Sequence, residues 1–262
     1  METFETITCV VDGPVAHVTL NRPESRNAMS NAMVAELLRC FTAFRDDPEH
    51  ATVRVVVLGA EGTVFCSGGD VRDMSAASSL AESDAAVRQL DHLLHMVNQA
   101  PQVVVARVQG AAMGGGLGLL CVTDYAVAGE NASFAFPEVR LGLVPSIISP
   151  YVVQRIGLTH ARQLMLTGRR FGAEVAQTCG LVQEVCVGSE LDARVDAVVA
   201  DVLRCAPGAL RACKELLFTV LTQEDTAAYR VSLLNRLRAS EEAQQGMMAF
   251  LTKQPAPWVP KV

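Results

Sequence analysis

Two glycine-rich loops are the segments of this sequence whose residue types most clearly indicate chemistry. They are residues 65–70, FCSGGD, and residues 113–118, MGGGLG. Glycines let the main chain approach a ligand closely and direct N–H groups at one point, and a helix that begins there adds positive partial charge. Either loop alone is explained by a tight turn. The two together favour a site that binds a negatively charged oxygen, an oxyanion hole.

Glu138 is the candidate acid or base, because it follows the apolar residues 134–137, FAFP. Apolar neighbours raise the pKa of a carboxyl group, which suits it to take up and release protons near neutral pH. The alternative is a carboxylate at a helix start or on the surface. Asp70 and Asp124 stand beside turns or strand ends, where we expect them to accept hydrogen bonds from main-chain amides.

Other kinds of site have weak signals or none. The sequence contains no GxSxG, no GxxxxGK[ST] and no GxGxxG after a predicted strand. His92 and His95 could share a metal ion, but no third ligand has metal-binding spacing, so we expect no metal and place both on the polar face of a helix. The eight cysteines form no CxxC pair and several lie in apolar runs. They predict a reducing, cytoplasmic compartment.

Charge and hydropathy exclude further classes of partner. A net charge of −6 argues against a nucleic-acid partner, because such binding depends on clustered Lys and Arg. The uncharged stretch 108–123 is too short and too rich in glycine to span a membrane. We therefore expect a soluble protein with a sizeable core and no membrane partner.

Alternating and helical patterns predict the elements that position these residues. Ser30 is predicted to cap a helix, and the glycine cluster at 114–118 is predicted to open another. The predicted strands are residues 6–11, 15–20, 54–58, 103–108, 125–128 and 183–187, with a loop over 59–70. Towards the C-terminus the predicted helices include 210–221 and 227–245. This pattern divides the chain into an α/β core, residues 1–190, and a helical region, residues 191–262, that packs on the core and on neighbouring subunits.

Several motifs occur in order along the chain and together resemble one family. They are LNRP (20–23), NA (27–28), CSGGD (66–70), VQG (108–110), FPE (136–138), GLVP (142–145), LTG (166–168) and GMMAF (246–250). Their order and spacing resemble the enoyl-CoA hydratase/isomerase (crotonase) superfamily over almost the whole length. Residues 134–153 resemble the branched-chain, glutaconyl-type hydratases more than the common short-chain hydratases.

The resemblance implies a spiral of ββα units, a trimerising helical C-terminus and assembly as a trimer or a dimer of trimers. It implies an acyl-CoA thioester as substrate and no other cofactor. By the same matching, the main-chain amides of Gly69 and Gly115 hold the thioester oxygen and Glu138 is the catalytic acid or base. The implied substrate-binding residues are Ser67, Gly68, Asp70, Arg72, Gly114, Gly118, Arg26, Phe250 and Lys253. Phe250 and Lys253 match positions that reach the CoA of a neighbouring subunit, although solvated surface charges remain an equal explanation for Arg26 and Lys253.

Gly118 is a departure from the family pattern, because typical hydratases have the first of two glutamates there. One carboxylate, Glu138, suffices to move a proton between two carbons, as in an isomerase, and can also serve a hydratase. We predict a hydratase of a branched or carboxylated 2-enoyl-CoA, since glycine at 118 would remove a like-charge repulsion and free volume for a branch. The alternatives are an isomerase, a retro-aldol lyase and a CoA-thioester-binding protein without turnover.

Overall fold

The computed structural model describes residues 3–76 and 79–260. Its strands are β1 (Ile7–Asp12), β2 (Val15–Leu20), β3 (Val55–Ala60), β4 (Val64–Cys66), β5 (Val103–Val108), β6 (Ala111–Met113), β7 (Tyr125–Gly129), β8 (Ser133–Ala135), β9 (Phe171–Gly172) and β10 (Glu184–Cys186). Its α-helices are α1 (Asn31–Asp46), α2 (Val71–Ala76), α3 (Leu80–Asn98), α4 (Gly115–Cys121), α5 (Ser149–Thr167), α6 (Ala173–Thr178), α7 (Leu191–Leu203), α8 (Pro207–Thr222), α9 (Ala227–Arg238) and α10 (Glu241–Thr252).

The larger sheet has six strands in the order β1-β2-β3-β5-β7-β10. Its first pair, β1 and β2, is an antiparallel hairpin that turns at Gly13, and the other pairs are parallel. The smaller sheet has the order β4-β6-β8-β9, with β4, β6 and β8 parallel. The elements from β3 to α5 therefore repeat one unit three times. Each unit has a strand in the larger sheet, then a strand in the smaller sheet, then one or two helices. This is the expected spiral of ββα units.

Apolar packing on both faces of the larger sheet fixes this spiral. All six residues of β3 are buried, as expected for a parallel strand covered on both sides. One face packs against α1, α3, α4 and α5 through the main hydrophobic core. The other face packs against α7 through Leu191, Val195 and Val199. Ser30 caps α1 as predicted, since its side chain accepts a hydrogen bond from Met33 N–H.

Two expectations about the elements were wrong. The loop predicted over 59–70 begins as the end of β3 and contains β4, because three residues are too few to show an alternating pattern. The helix predicted over 227–245 is two helices that meet at Ser240. The Ser240 hydroxyl accepts the N–H of Ala243, so it caps α10 instead of continuing α9.

The last three helices differ from the core in burial. Among their residues only Ala212, Leu233 and Ala249 are buried. Their exposed apolar residues include Leu217, Val231, Leu234, Phe250 and Leu251, which are 57–84% exposed. Within residues 3–76 and 79–260, every helix is too short or too polar to cross a bilayer.

Candidate active site

Met29 holds the first glycine loop in an extended conformation. The N–H of Met29 donates to the carbonyl of Gly68 at 2.8 Å, and its carbonyl accepts the N–H of Asp70 at 3.0 Å. These bonds form a parallel bridge between Met29 and Gly69. They use the groups on either side of Gly69, whose own N–H donates to no acceptor among the described residues. This amide is therefore available to a ligand.

The second loop ends at the first turn of α4, with Gly114 at the N-cap and Gly115 as the first helical residue. The N–H of Gly114 is bound to the carbonyl of Ala135 at 3.0 Å. The N–H of Gly115 has no acceptor in the part of the chain that the structure describes, as expected for the first turn of a helix. Gly115 thus offers a second unused donor, with the positive end of the α4 dipole behind it.

The two loops are in contact where these donors lie. A Cβ atom added to Gly115 would lie 3.6 Å from the nitrogen of Gly69, and one added to Gly68 would lie 3.6 Å from the nitrogen of Gly115. Gly68 also has φ +100°, a conformation that side chains disfavour. A Cβ atom on Gly115 would come within 2.7 Å of Cε of Met29. The conformation of Gly68 favours glycine, and a side chain at 115 would have to displace Cε of Met29, so both glycines favour this close approach, which can direct two amides at one oxygen atom.

Glu138 follows β8, at the start of a short 3-10 helix. A Cβ atom on Gly114 would lie 2.9 Å from Oε1 of Glu138, so the carboxylate lies directly against that glycine. Gly114 has φ +49°. Oε2 of Glu138 is buried and has no hydrogen-bond partner among the described residues. Burial raises the pKa of the Glu138 carboxyl, as expected from the sequence.

Gly118 is buried one turn beyond Gly114, and the space beside it is filled. A Cβ atom there would overlap Cγ2 of Ile148 and lie 2.9 Å from its Cβ atom. Cδ1 of Leu94 would be 3.5 Å away. The expectation that glycine at 118 frees volume for the substrate was therefore wrong, because Ile148 takes that volume. No signal in the sequence connects residues 118 and 148, which are brought together only by the packing of α4 on α5.

Asp70 holds the first glycine loop in place through two hydrogen bonds. Its carboxylate accepts a hydrogen bond from Nη1 of Arg22 at 3.0 Å and another from the N–H of Arg72 at 3.0 Å. Burial alone would raise the pKa of Asp70, but these hydrogen bonds outweigh it and lower the pKa. Asp124 likewise accepts the N–H of Val104. Both aspartates thus bind main-chain amides as predicted, and the role of Arg22 was not predicted.

A cavity of about 590 Å³ opens beside Gly69, between α1, α2 and α3. Its apolar lining comes from Met29, Val34, Met74, Val87 and Leu90. The polar lining residues include Asn31, Asp73, Glu82 and Gln89. The size and apolar lining of this cavity suit an apolar chain whose oxygen is bound by the amides of Gly69 and Gly115.

The remaining predicted binding residues lie at different distances from the loops. The carbonyl of Arg26 accepts the N–H of Ser67 at 3.1 Å, so Arg26 lies beside the first loop with an exposed side chain. Arg72 is exposed on α2. Phe250 is 84% exposed on α10, and Lys253 is the C-cap residue of that helix.

The two histidines on α3, His92 and His95, are exposed. In residues 3–76 and 79–260, no three His, Cys, Asp or Glu side chains are close enough together to hold a metal ion. The arrangement of the site is that of two main-chain donors and one half-buried carboxylate. Such a site can hold a developing negative charge on oxygen and move a proton beside it.

Comparison with known proteins is consistent with this chemistry. Residues 11–261 match the family model described as enoyl-CoA hydratase/isomerase. The structure of Pseudomonas aeruginosa AtuE superposes with a TM-score of 0.94 at 39% identity, covering 98% of this chain and 100% of that chain. The crystal structure of an enoyl-CoA hydratase/isomerase from Marinobacter aquaeolei superposes with a TM-score of 0.90 at 36% identity, covering 97% of this chain and 99% of that chain. The carnitinyl-CoA dehydratase of Shigella flexneri is 32% identical over 254 residues, which are 94% of this chain and 95% of that protein. The chain belongs to the enoyl-CoA hydratase/isomerase family and is an enzyme of that family.

Proposed function

We propose that this enzyme is a hydratase that adds water to a 2-enoyl-CoA with a branched or carboxylated acyl group. One observation carries the proposal. Glu138 places Oε1 beside Gly114, and its buried Oε2 has no hydrogen-bond partner among the described residues, while Gly115, the next residue after Gly114, has an unused amide. A group that must exchange protons with water and carbon needs such an uncommitted oxygen.

The thioester oxygen accepts hydrogen bonds from the amides of Gly69 and Gly115. When the oxygen of water bonds to C3, the electrons of the C2–C3 double bond move to C1–C2 and those of C1=O move onto the oxygen. The resulting enolate carries its negative charge at the two donors. Removing one such donor costs typically about 2.7–4 kcal/mol of transition-state stabilisation in related sites.

Glu138 takes one proton from the attacking water and returns it to C2, so that the product gains H and OH and the carboxylate is regenerated. Burial raises the pKa of this carboxyl, which makes it a better base for the water proton. The wall one turn along α4 from Gly114 is hydrocarbon from Ile148. Glu138 and main-chain groups therefore orient the water without a second acid.

The acyl chain enters the cavity beside Gly69, whose apolar lining from Met74, Val87 and Leu90 supports an alkyl branch. The CoA moiety follows the main chain of Ser67 and Gly68. Arg72 and Arg26 flank that loop with exposed guanidinium groups that can pair with phosphates. Asp70 contributes by holding the loop through Arg22.

The enzyme assembles as a trimer or a dimer of trimers through its last three helices. Leu217 on α8, Val231 on α9 and Leu251 on α10 are 61–74% exposed, which is unfavourable for apolar side chains in a monomer. In such an assembly Phe250 and Lys253 of one subunit reach the CoA of the next. Light scattering of the purified protein would measure the mass of the assembly.

The experiment that tests the function follows the loss of enoyl-thioester absorbance with straight, branched and carboxylated 2-enoyl-CoAs. Mass spectrometry then measures the gain of one water. We expect activity with a branched or carboxylated substrate, and a fall in kcat of about 10²–10⁴-fold in Glu138→Gln. Gly188→Ala is the control, because that exposed glycine has open space around it. Absence of water addition with every 2-enoyl-CoA would overturn the proposal.

An isomerase is the second candidate, since Gly118 lies against Ile148 and so provides no second carboxylate to pair with Glu138. In that reaction Glu138 moves one proton between C2 and C4 and no water is gained. Conversion of a 3-enoyl-CoA to a conjugated isomer of unchanged mass, with no hydration, would favour it. Tight binding of CoA esters without turnover of either kind would instead indicate a non-catalytic binding protein, and cleavage of a 3-hydroxyacyl-CoA would indicate the lyase.

A further inference from the structure

Two cysteine side chains, those of Cys9 and Cys40, face each other outside the active site. Cys9 lies on β1 and Cys40 lies on α1, 31 positions later in the chain. Their Sγ atoms are 3.6 Å apart, and both residues are free thiols in this structure. A disulfide bond joins two sulfur atoms at about 2.05 Å, so the gap that remains is small enough for rotation of the two side chains to close.

A buried carboxylate holds the two elements in this arrangement. Glu36, one turn before Cys40 on α1, is 6% exposed and accepts the main-chain N–H groups of Glu5 and Thr6, each at 2.9 Å. It also accepts the hydroxyl of Thr6, three residues before Cys9. These hydrogen bonds fix α1 against the start of β1. The two thiols are therefore held close together, which favours a reaction between them over a reaction of either with a distant thiol.

The surroundings of the two sulfur atoms differ. Cys9 is partly exposed on β1, an edge strand of the larger sheet, whereas Cys40 is 3% exposed. The thiol of Cys40 donates a hydrogen bond to Sγ of Cys9, and this bond lowers the pKa of Cys9 although burial opposes it. At Cys66, by contrast, burial raises the pKa of the thiol to about 11. Because the thiolate is the form that reacts, Cys9 is the member of the pair that an oxidant attacks first.

We propose that Cys9 and Cys40 form a reversible disulfide when the protein meets a peroxide, and that this bond cross-links β1 to α1. With hydrogen peroxide, the Cys9 thiolate attacks one oxygen, which breaks the O–O bond and gives a sulfenic acid on Cys9 and a hydroxide that takes up a proton. The sulfur of Cys40 then bonds to the sulfur of Cys9, and the hydroxyl group leaves as water with the thiol proton of Cys40. The two thiols lose two electrons in all, and the peroxide is reduced to two waters. A thiol reductant reverses the bond.

The bond closes residues 9–40 into a covalent ring that includes the support of the first glycine loop. Arg22 within this ring binds the carboxylate of Asp70, and Met29 binds the main chain of Gly68 and Asp70. A cross-link lowers the conformational entropy of the unfolded chain, so the oxidised protein should unfold at a higher temperature. The proposal does not depend on which reaction the active site catalyses.

The test uses the full chain with Cys205→Ser and Cys213→Ser, because these two exposed thiols could otherwise exchange with the pair. The protein is treated with hydrogen peroxide, the remaining thiols are alkylated, and the digest is analysed by mass spectrometry without reductant. We expect the peptides of Cys9 and Cys40 to be joined with the loss of two hydrogen atoms, and to separate again in dithiothreitol. The Tm of the oxidised protein should exceed that of the reduced protein by about 5 °C.

Serine variants test the separate roles of the two thiols. Cys40→Ser keeps a hydrogen-bond donor beside Cys9, so peroxide should leave a sulfenic acid on Cys9 that dimedone traps, with no cross-link and no rise in Tm. Cys9→Ser should leave Cys40 reduced, because Cys40 is buried. Cys186→Ser is the matched control, since Cys186 is a buried strand residue whose thiol contacts the carbonyl of Ala128, and the cross-link should form in it unchanged.

Three results would overturn the proposal. They are a Cys9 that is still fully alkylated after peroxide treatment, a disulfide of Cys9 with a cysteine other than Cys40, and a lower Tm in the oxidised protein. The last result would mean that the bond forms only by distorting the packing of α1 on β1.

Discussion

Gly114 and Gly118 lie on the same face of α4, four residues apart, and side chains are excluded from them for different reasons. At Gly114 the neighbour is the carboxylate of Glu138, whose Oε1 would lie 2.9 Å from an added Cβ atom. At Gly118 the neighbour is the buried, aliphatic Ile148. The first glycine admits the acid to the site, whereas the second admits a core residue.

Within one helical turn, Gly114 therefore contacts a catalytic candidate, whereas Gly118 contacts a residue of the hydrophobic core. A change at Gly114 should disturb the position of Glu138 first and the fold second. A change at Gly118 should disturb the junction of α4 and α5 first, because both partners there are buried. The absence of a second carboxylate on this face is thus tied to the packing of the core around Ile148.

The largest expected effect is that of Gly118→Glu. Its side chain would overlap Ile148 and place a charge in the core, so the free energy of unfolding should fall by about 3 kcal/mol or more. Denaturant unfolding would measure this change. The variant should lose activity with all substrates because it is poorly folded, and not with carboxylated substrates alone.

The double variant Gly118→Glu with Ile148→Gly shows whether Ile148 is the cause. Removing the Ile148 side chain clears both contacting atoms, Cγ2 and Cβ, so we expect at least half of the lost unfolding free energy to return. If Gly118→Glu alone were as stable as the wild type, the distinction between the two glycines would not hold.

Gly114→Ala should have a smaller effect on stability and a specific effect on catalysis. The residue has φ +49°, so an alanine costs about 1–2 kcal/mol of unfolding free energy. The added methyl group also pushes Glu138 aside, which should lower kcat about 10²-fold while binding of CoA esters is retained. Steady-state kinetics and denaturant unfolding, with Gly188→Ala as the control, would measure both quantities. Equal losses of kcat and of CoA-ester affinity would contradict the separation.

The sequence predicted the parts of the fold that depend on local pattern. Alternation and branched residues located β3, β5 and β7, and the Ser30 cap located α1. It did not predict β4, β6 and β8, which are three residues long and exist because neighbouring strands of the smaller sheet pair with them. Such strands depend on tertiary contacts, which a pattern of so few residues cannot show.

The candidate site divides in the same way. Glycine clusters and an acid after an apolar segment are visible in the sequence, and the structure brings Gly69, Gly115 and Glu138 together. Met29, which holds the first loop, and Ile148, which fills the space at Gly118, are ordinary core residues by type. Their roles depend on contacts between distant segments, so composition and spacing gave no indication of them.

The smallest expected effect is on the stability of the fold, which the buried charge of Glu138 beside Gly114 lowers. Burial raises the pKa of this carboxyl in the folded state above its ordinary value of 4.5. The folded state therefore holds its proton more tightly than the unfolded state, and ionisation destabilises the fold as pH rises from the unfolded to the folded pKa. Glu138→Gln lacks this charge. Its Tm should exceed that of the wild type at neutral pH, and the excess should vanish below the unfolded pKa.

Asp70→Asn supplies a control of opposite sign. Hydrogen bonds from Arg22 and Arg72 outweigh burial and lower the pKa of Asp70. This carboxylate therefore stabilises the fold above its unfolded pKa, and that stability is lost as pH falls through the folded pKa. Asp70→Asn should lower Tm at neutral pH, and the difference should shrink in acid. Calorimetric scans of both variants against pH would separate the two carboxylates, because any constant packing effect of a substitution cancels in the pH dependence. Parallel curves of Tm against pH for the two variants would mean that Glu138 is paired like Asp70. The contrast between the two carboxylates would then fail.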